Sequence, residues 1–306
     1  MAPLVARAGM VLSRNIDDYP EGIVIPIDKP YRWTSADVIR KVKWMAVKHF
    51  GKKNLKVGHA GTLDPLATGV LLVCIGKATK LADEFQAHPK EYVAGVSFGA
   101  TTASYDLEKE IDATWPLDGV SEDALRAVLP KFVGEQEQVA PLFSAKSVDG
   151  KRVYEIARAL YKAGKPVDSD ILKANRITIF GLELLSFGGN DAERGLLRDG
   201  AMQTGAPLVG LRAALCPTRR GGVIADPDRQ SPNSRINVAS TEGHQLVQTE
   251  ICVECSKGTY IRALARDLGE ALGSGAFLHS LRRTRTGSFD VADSLSLEDA
   301  AQLLSI

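Results

Sequence analysis

The sequence lacks several features that would assign it to common classes of protein. None of its apolar runs reaches the roughly 20 residues of a membrane-spanning helix, and residues 1–15 contain no long apolar stretch of the secretory type. Four cysteines in 306 residues do not form a disulfide framework. The net charge of +1 gives no overall signature of a nucleic-acid-binding protein. We therefore expect a cytoplasmic protein from a reducing compartment.

The sequence is also poor in metal-binding and nucleotide-binding motifs. Cys252 and Cys255 form a CxxC pair, but no second pair stands at the spacing of a zinc site. The alternation of apolar residues around them places the two thiols on opposite faces of a strand, which suits joint ligation poorly. Residues 69–77 lack the glycine spacing of a P-loop, and Ala78 stands where such a loop has Ser or Thr. We expect no metal and no other cofactor.

What the sequence does contain is an ordered series of strand and helix patterns. Residues Thr34 or Ser35, Ser121 and Thr259 are predicted to cap helices. Because strands and helices do not alternate strictly, the sequence predicts a mixed, largely antiparallel central sheet flanked by helices in an α/β or α+β domain. The predicted strands are 22–27, 70–75, 91–100, a pair within 176–187 broken at Gly181, and 246–255.

Composition divides the chain further. Residues 1–20 are predicted to be a flexible tail, and the polar residues 101–118 a long loop. Residues 189–245, rich in Gly, Arg, Asp, Pro and Ser, are predicted to be an insertion of unknown role. The remaining parts, 21–188 and 246–306, would then form one domain.

The stretch GHAGTLDPLATG, residues 58–69, is the most unusual part of the chain. Its glycines and the Asp64-Pro65 pair predict a shaped loop ahead of a buried strand. A carboxylate held on such a loop suits a catalytic role. Asp-Pro is also a common turn pair, and the spacing alone favours that ordinary interpretation.

Basic residues are unevenly distributed. Seven lysines and arginines lie between Arg40 and Lys56 with no acidic residue among them, and Arg282, Arg283 and Arg285 form a second cluster. Most charge runs are solvated protein faces. The alternative is a surface that binds RNA phosphates, because such clusters supply most sequence-independent affinity for nucleic acid.

Five motifs follow one another along the chain. They are Asp28-Lys29-Pro30 with Thr34-Ser35, residues 58–69, Lys90-Glu91-Tyr92, residues 256–262 and residues 281–289. In this order they resemble the motifs of the TruB-type tRNA pseudouridine-55 synthases. The resemblance covers about residues 22–188 and 246–290 and implies the pseudouridine synthase fold. It also implies isomerisation of uridine to pseudouridine in the T-loop of tRNA, without a cofactor. The partner would be the T-arm of tRNA, and we expect a monomer.

The resemblance also implies roles for individual residues. Asp64 would be the nucleophile or charge stabiliser, with Arg262 as its counter-charge, and Tyr92 would lie against the base and assist proton removal from C5. Without the resemblance, Arg262 would be interpreted as a helix-surface arginine and Tyr92 as a core tyrosine. His59 would help to hold the flipped nucleotide, and Tyr260 and Leu281 would line the uracil pocket. The RNA backbone would be contacted by Lys52, Lys53 and Arg282.

The chain departs from the family pattern at several places. Arg32 stands where the family usually has Gly, and Lys146 and Ser147 shift a common lysine by one position. No counterpart to residues 189–245 is recognisable, nor is the C-terminal PUA-type domain of many relatives. These departures leave two alternatives open, namely the same chemistry on another structured RNA and an RNA-binding or RNA-folding protein.

Overall fold

The structure, a computed structural model, describes residues 2–141, 143, 147–148, 151–152, 174–188 and 236–305. The helix predicted around residues 153–162, the Lys146 position and most of the predicted insertion lie outside the described residues. For Ser147 only the backbone is described.

The described residues form the following elements. The strands are β1 (Leu4–Val5), β2 (Ile23–Lys29), β3 (Val57–Ala60), β4 (Ala67–Ile75), β5 (Lys90–Phe98), β6 (Ala100–Thr102), β7 (Ile111–Thr114), β8 (Gly134–Gln138), β9 (Ser147–Val148), β10 (Lys151–Arg152), β11 (Asn175–Phe187), β12 (Val247–Cys255), β13 (Ala276–Thr286) and β14 (Phe289–Asp290). The α-helices are α1 (Ser35–Phe50), α2 (Ala82–Ala87), α3 (Glu122–Val128), α4 (Ile261–Ala271) and α5 (Leu297–Leu303). Short 3₁₀ helices lie at Ile16–Asp18, Gly76–Leu81, Leu129–Phe132 and Val291–Asp293.

One ten-stranded sheet organises the molecule. Its main order is β1-β2-β4-β13-β5-β12-β11-β8, with β3 also paired to β4 and β14 to β13. The pairs β1–β2 and β4–β13 are parallel, whereas β2–β4, β13–β5, β5–β12, β12–β11 and β11–β8 are antiparallel. The predicted mixed, largely antiparallel sheet with flanking helices is therefore confirmed.

Side-chain alternation fixes the two faces of the central strands. On β5, Tyr92, Ala94, Val96 and Phe98 all point into the main core, as the alternation predicted. On β12, Cys255 is buried in that core, and Cys252 is half-buried on the other face. Burial of one apolar face per strand fixes the register, because a slip of one residue would expose the whole set.

Helix α1 has the boundaries that its sequence predicted. The Thr34 side chain accepts a hydrogen bond from the Asp37 N–H at 3.0 Å, and the Asp37 carboxylate accepts from the Thr34 N–H at 2.9 Å. This reciprocal capping satisfies two of the free N–H groups at the helix start. The helix ends at Gly51, which adopts the left-handed conformation that glycine tolerates best (φ 63°).

The predicted loose tail is wrong for the described residues 2–20. β1 pairs in parallel with β2, and Ala6, Leu12 and Ile16 are buried against the core. The ring of His49 holds the same segment, with Nε2 3.2 Å from the Ser13 carbonyl oxygen. The apolar residues are too sparse to show a periodic pattern, yet these three reach the core, whereas Val11 is 95% exposed.

The predicted long loop at residues 101–118 is also wrong. β6 and β7 form a hairpin there, and the turn between them carries a buried carboxylate, Asp106. One of its two oxygens, Oδ1, accepts hydrogen bonds within the segment, from the Ser104 hydroxyl at 2.6 Å and the Glu108 N–H at 3.0 Å. A polar segment was mistaken for a solvated one because its partners lie within the segment itself.

Two smaller predictions need correction. The strand pair predicted within 176–187 is the single strand β11, and Gly181 marks a register shift against β12 rather than a break. Thr259 does not cap α4, because its hydroxyl donates to the Ser256 carbonyl at 3.0 Å and the capping position belongs to Tyr260.

The described end of the predicted insertion, residues 236–245, contacts the turn between β6 and β7 and also Arg32. Ala239 is buried, and its N–H donates to the Leu107 carbonyl at 2.8 Å. Arg32, in the left-handed region at φ 59°, donates from Nη2 to the Ile236 carbonyl at 3.0 Å. The division at 189 and 245 otherwise stays a prediction. No helix in the described part of the chain is long and apolar enough to cross a membrane.

Candidate active site

A tight loop between β3 and β4 carries Asp64. Antiparallel pairing of the two strands brings their ends together, and Gly61 opens the loop at φ 86°. Ser35, at the start of α1, holds the loop: its hydroxyl donates to the Leu63 carbonyl at 3.1 Å and accepts from the Leu63 N–H at 3.0 Å. The Asp64 backbone is therefore fixed by contacts outside the loop.

Lys29, at the end of β2, secures the other side of this loop. Its side chain is fully buried, and Nζ donates to the carbonyls of Pro30 at 3.0 Å, Trp33 at 2.5 Å and Pro65 at 3.3 Å. Burial lowers the pKa of Lys29 to about 7, with the negative charge of Asp64 acting in the opposite direction. Sequence analysis named Lys29 only as part of a motif and missed its place beneath the loop.

Arg262 and Asp64 form the predicted pair. Nε of Arg262 lies 2.9 Å from Oδ2 of Asp64, and Nη2 lies 3.2 Å from Oδ1. The guanidinium also donates to the carbonyls of Ser104 and Phe143, each at 3.0 Å. This two-pronged geometry uses the planar fork that distinguishes arginine from lysine.

The pair is buried on one side and open on the other. The Arg262 side chain is 5% exposed and that of Asp64 is 37% exposed. Burial alone would lower the pKa of Arg262, but the carboxylates of Asp64 and Asp106 raise it. The guanidinium is thus a fixed positive charge behind a carboxylate that faces open space.

Asp106 is a second carboxylate at this site, and sequence analysis missed it. Its Oδ2 lies 3.7 Å from Nε of Arg262. Burial raises the pKa of Asp106, and the nearby Arg262 partly offsets that rise. The sequence showed only several acidic residues in one polar segment, and nothing in their spacing indicated which of them turns inward.

A cavity opens over the Asp64–Arg262 pair. The parallel pairing of β4 and β13 sets Leu281 opposite Ala67, so the cavity wall combines the Asp64 loop with the middle of β13. Leu281 therefore borders the cavity, and its predicted contact with uracil stays a prediction. The cavity is lined by Asp64, Leu66, Ala67, Asp106, Arg262 and residues 278–281.

A second buried arginine, Arg283, organises the other predicted residues. It donates to the carbonyls of Val70 at 2.7 Å and Gly61 at 3.2 Å, so it contacts the same loop from beneath. Burial raises the pKa of Tyr92, and the positive charge of Arg283 acts in the opposite direction. His59 is half-buried on β3, where burial and the charge of Arg283 lower its pKa. Sequence analysis had treated Arg283 as part of a surface cluster.

Tyr260 lies at the start of α4, two residues before Arg262. Its N–H donates to Oε1 of Gln138 at 2.8 Å, and its carbonyl accepts from Nε2 of the same amide at 3.2 Å. These bonds fix the point from which α4 directs Arg262 at Asp64. The predicted role of the Tyr260 ring in the uracil pocket stays a prediction.

The residues predicted to contact the RNA backbone occupy different environments. Arg282 donates to Oδ2 of Asp28 at 2.7 Å, and Arg283 is buried, so the C-terminal arginines do not form one exposed surface. Lys52 lies 3.4 Å from the Asp17 carboxylate. Lys53 lines an open cleft between α1 and β3. The cleft is lined by Lys43, Lys53, Asn54, Lys56 and Thr79 among others.

Comparison with known proteins identifies the family. The family model for the TruB family pseudouridylate synthase (N terminal domain) matches residues 48–196. The model for the tRNA pseudouridylate synthase B C-terminal domain matches residues 262–305, which supply α4, β13 and α5. The chain belongs to the TruB family of pseudouridylate synthases.

Individual relatives carry a more specific name. The chain is 41% identical to tRNA pseudouridine synthase B of Phocaeicola vulgatus, over 94% of this chain and 95% of the relative. It is 43% identical to tRNA pseudouridine synthase B of Bacteroides thetaiotaomicron, over 92% of each. The crystal structure of a Cbf5-Nop10-Gar1 complex shares the fold, with a TM-score of 0.53, 24% identity, and coverage of 92% of this chain and 54% of that one.

Proposed function

We propose that this protein isomerises uridine to pseudouridine at position 55 in the T-loop of tRNA. One observation carries the proposal: a partly exposed carboxylate, Asp64, is clamped by a buried guanidinium at the mouth of a cavity. Membership of the TruB family supports the reaction, and the names of the relatives support tRNA as the substrate.

The reaction requires little beyond these groups. The bond between C1′ and N1 of the nucleotide breaks, the uracil turns, and a bond from C1′ to C5 forms. The C5 proton leaves and N1 gains a proton, so product and substrate have the same atoms. Nothing is oxidised or reduced overall. Attack by the carboxylate at C1′, attack at C6 and a glycal-like intermediate all place a carboxylate beside the target nucleotide. Asp64 occupies that position, and Arg262 supplies a permanent counter-charge.

The remaining site residues would hold the base and move its proton. A stacked uracil must leave the RNA stack to reach Asp64, at a cost of a few kcal/mol. We assign Leu281 and Tyr260 to the walls of the uracil pocket and His59 to the flipped nucleotide. Tyr92 would lie against the base and assist removal of the C5 proton, with the charge of Arg283 opposing the rise that burial causes in its pKa.

The RNA backbone would bind to the basic surface of the molecule. Lys53 is the most suitable of the three predicted contacts, because it shares an open cleft with Lys43 and Lys56. Lys52 and Arg282 already face the carboxylates of Asp17 and Asp28, and a phosphate would have to compete with those partners.

An activity assay tests the proposal directly. The protein is incubated with an unmodified tRNA transcript, and pseudouridine is mapped by chemical labelling. We expect a single product in the T-loop. Pseudouridine at a different position, or only in another structured RNA, would contradict the proposed substrate. An absence of product from every RNA would contradict the proposed reaction.

The variant Asp64→Asn tests the role of the carboxylate. It keeps the shape of the side chain and removes its charge, so it should fold and bind tRNA normally. Product formation should fall by more than the ~10²–10⁴-fold typical for loss of a general acid or base. Asp83→Asn, an exposed carboxylate on α2, is the matched control and should react like the wild type. A rate near that of the wild type for Asp64→Asn would contradict the assignment.

A further inference from the structure

The outer face of α1 exposes a tryptophan. The helix buries Val38, Val42 and Met45 against the core, whereas Trp44 on the opposite side is 55% exposed. An indole is a large apolar surface, and one left in water within an otherwise well-segregated helix is a candidate for contact with a ligand or partner.

Two lysines lie over this indole ring. Nζ of Lys48 is 3.9 Å from the ring centroid, and Nζ of Lys41 is 5.8 Å from it. Because they stand four residues after and three residues before Trp44, helical periodicity places all three side chains on one stripe. The ammonium groups of Lys41 and Lys48 therefore lie close to the ring, and a rotation of their side chains toward an anionic partner would cost little free energy.

The chemistry of the surroundings favours RNA as that partner. The segment from Arg40 to Lys56 carries seven basic and no acidic residues, and the open lysine cleft of Lys43, Lys53 and Lys56 lies between the same helix and β3. A polyanion matches this charge. An RNA base in addition matches the indole, since aromatic side chains stack on unpaired bases of any sequence.

The position of Trp44 separates it from the reacting nucleotide. Ser35, the first residue of α1, contacts the catalytic loop at Leu63. Trp44 follows nine residues later, which corresponds to roughly 14 Å along the helix axis. It therefore lies too far along the helix to touch a base that is bound over Asp64.

We propose that the outer face of α1 binds a second segment of the RNA substrate, with an unpaired base stacked on Trp44. Lys41 and Lys48 then move from the ring to the phosphates that flank this base. The proposal rests on the proposed function for the identity of the RNA, but the contact is a binding contact and contributes nothing to the chemical step.

The test measures RNA binding in a protein that forms no product. Trp44→Ala, Trp44→Leu and Trp44→Phe are each made in the Asp64→Asn background, and the Kd for unmodified tRNA is measured at one fixed salt concentration. We expect Trp44→Ala to raise the Kd by about 5- to 150-fold, the equivalent of one lost base stack. Trp44→Leu should behave like Trp44→Ala, and Trp44→Phe should keep most of the affinity.

A matched control and a second readout complete the experiment. Trp115, 47% exposed on β7's flank, is not on the basic helix, and Trp115→Ala should bind tRNA like the parent. With catalytic Asp64 restored, Trp44→Ala should form pseudouridine at the parental rate once the protein is saturating. All variants are compared at matched folded fraction, as judged by thermal melting.

Two results would overturn the proposal. An unchanged Kd for Trp44→Ala would show that this face does not bind RNA and that it either binds a protein or stays solvated. A Kd for Trp44→Leu equal to that of the parent shows that apolar bulk, not stacking, is what the site needs. Failure of the proposed function is seen separately, as an absence of pseudouridine in the protein with Asp64, whatever the Kd values are.

Discussion

Positively charged side chains occupy two opposite environments in this molecule, one buried and one exposed to solvent. Arg262 is 5% exposed, bonded to Asp64, near Asp106 and saturated by two backbone carbonyls. The lysines along the outer face of α1 are exposed, and Lys48 lies over an indole ring rather than a carboxylate.

The difference shows what burial demands of a charge. A buried charge costs several kcal/mol to desolvate, so it persists only where partners satisfy it, and the loss of one partner is severe. An exposed lysine contributes little to stability, but it attracts phosphates in a manner that salt weakens. The first group therefore suits a fixed catalytic constellation, and the second suits an adaptable RNA surface.

Removal of Arg262 should have the largest effect. Arg262→Ala leaves Asp64 and Asp106 without their shared counter-charge, which should lower the free energy of unfolding by ~3–5 kcal/mol. Activity at matched folded fraction should reach the detection limit. Arg126→Ala, which breaks an exposed pair with Glu122 on α3, is the control and should cost less than ~1 kcal/mol. Equal losses of unfolding free energy in the two variants would contradict the difference proposed between buried and exposed charges.

Asp106→Asn should have a smaller effect on the same cluster. The amide oxygen can still accept from the Ser104 hydroxyl and the Glu108 N–H, because both bonds go to Oδ1, but an uncharged NH₂ group replaces the oxygen that faces Arg262. We expect a loss of ~1–3 kcal/mol in stability, as for a buried polar group left partly unsatisfied. Activity should lie between those of the wild type and Asp64→Asn. Calorimetry measures the change in stability and the tRNA assay the change in activity. Wild-type values in both would show that the charge of Asp106 contributes to neither.

Lys29 provides a prediction that depends on pH. Its pKa falls from 10.5 to about 7 on folding because the amine is buried, so between these values the unfolded chain binds a proton that the native protein lacks. Native stability from this residue therefore rises with pH from 7 toward 10.5, by up to ~1.4 kcal/mol per pH unit, and is lost as pH falls to 7.

The variant Lys29→Met isolates this contribution. The difference in unfolding free energy between wild type and variant should grow in favour of the wild type as pH is raised from 7 to 9. Lys77→Met, whose amine is exposed and pairs with Glu21, serves as the control and should show no such growth. A constant difference for Lys29→Met would mean that the amine keeps its proton in the fold.

The smallest structural effect should come from the exposed lysines. Lys52→Ala with Lys53→Ala should leave melting unchanged but weaken tRNA binding. Each lost phosphate contact should reduce the slope of log affinity against log salt by about 0.7–0.9. Since Lys52 faces Asp17, most of the change should reside in Lys53→Ala alone. An unchanged slope for the double variant would remove these lysines from the RNA interface.

Some of this arrangement could be predicted from the sequence and some could not. The limits of α1 followed from Thr34, Asp37 and Gly51, because capping is a property of neighbouring residues. The Asp64–Arg262 pair was predicted from motifs 198 positions apart, through resemblance and not through any local signal. Lys29, Asp106 and Arg283 were missed, because nothing in their sequence surroundings separates a buried charge from a solvated one.

The sequence by itself determined the limits of α1, the faces of the central strands and the family. These depend on side-chain periodicity and backbone preference over a few residues. Only the tertiary structure decided which charges are buried and paired. β13 lies between β4 and β5 in the sheet, although more than 170 residues of sequence separate it from either. This position sets Leu281 beside the Asp64 loop and Arg283 beneath it. Burial depends on the sum of such distant contacts. For this reason three neighbouring arginines differ in the structure: Arg283 is buried, whereas Arg282 and Arg285 are partly exposed and pair with carboxylates.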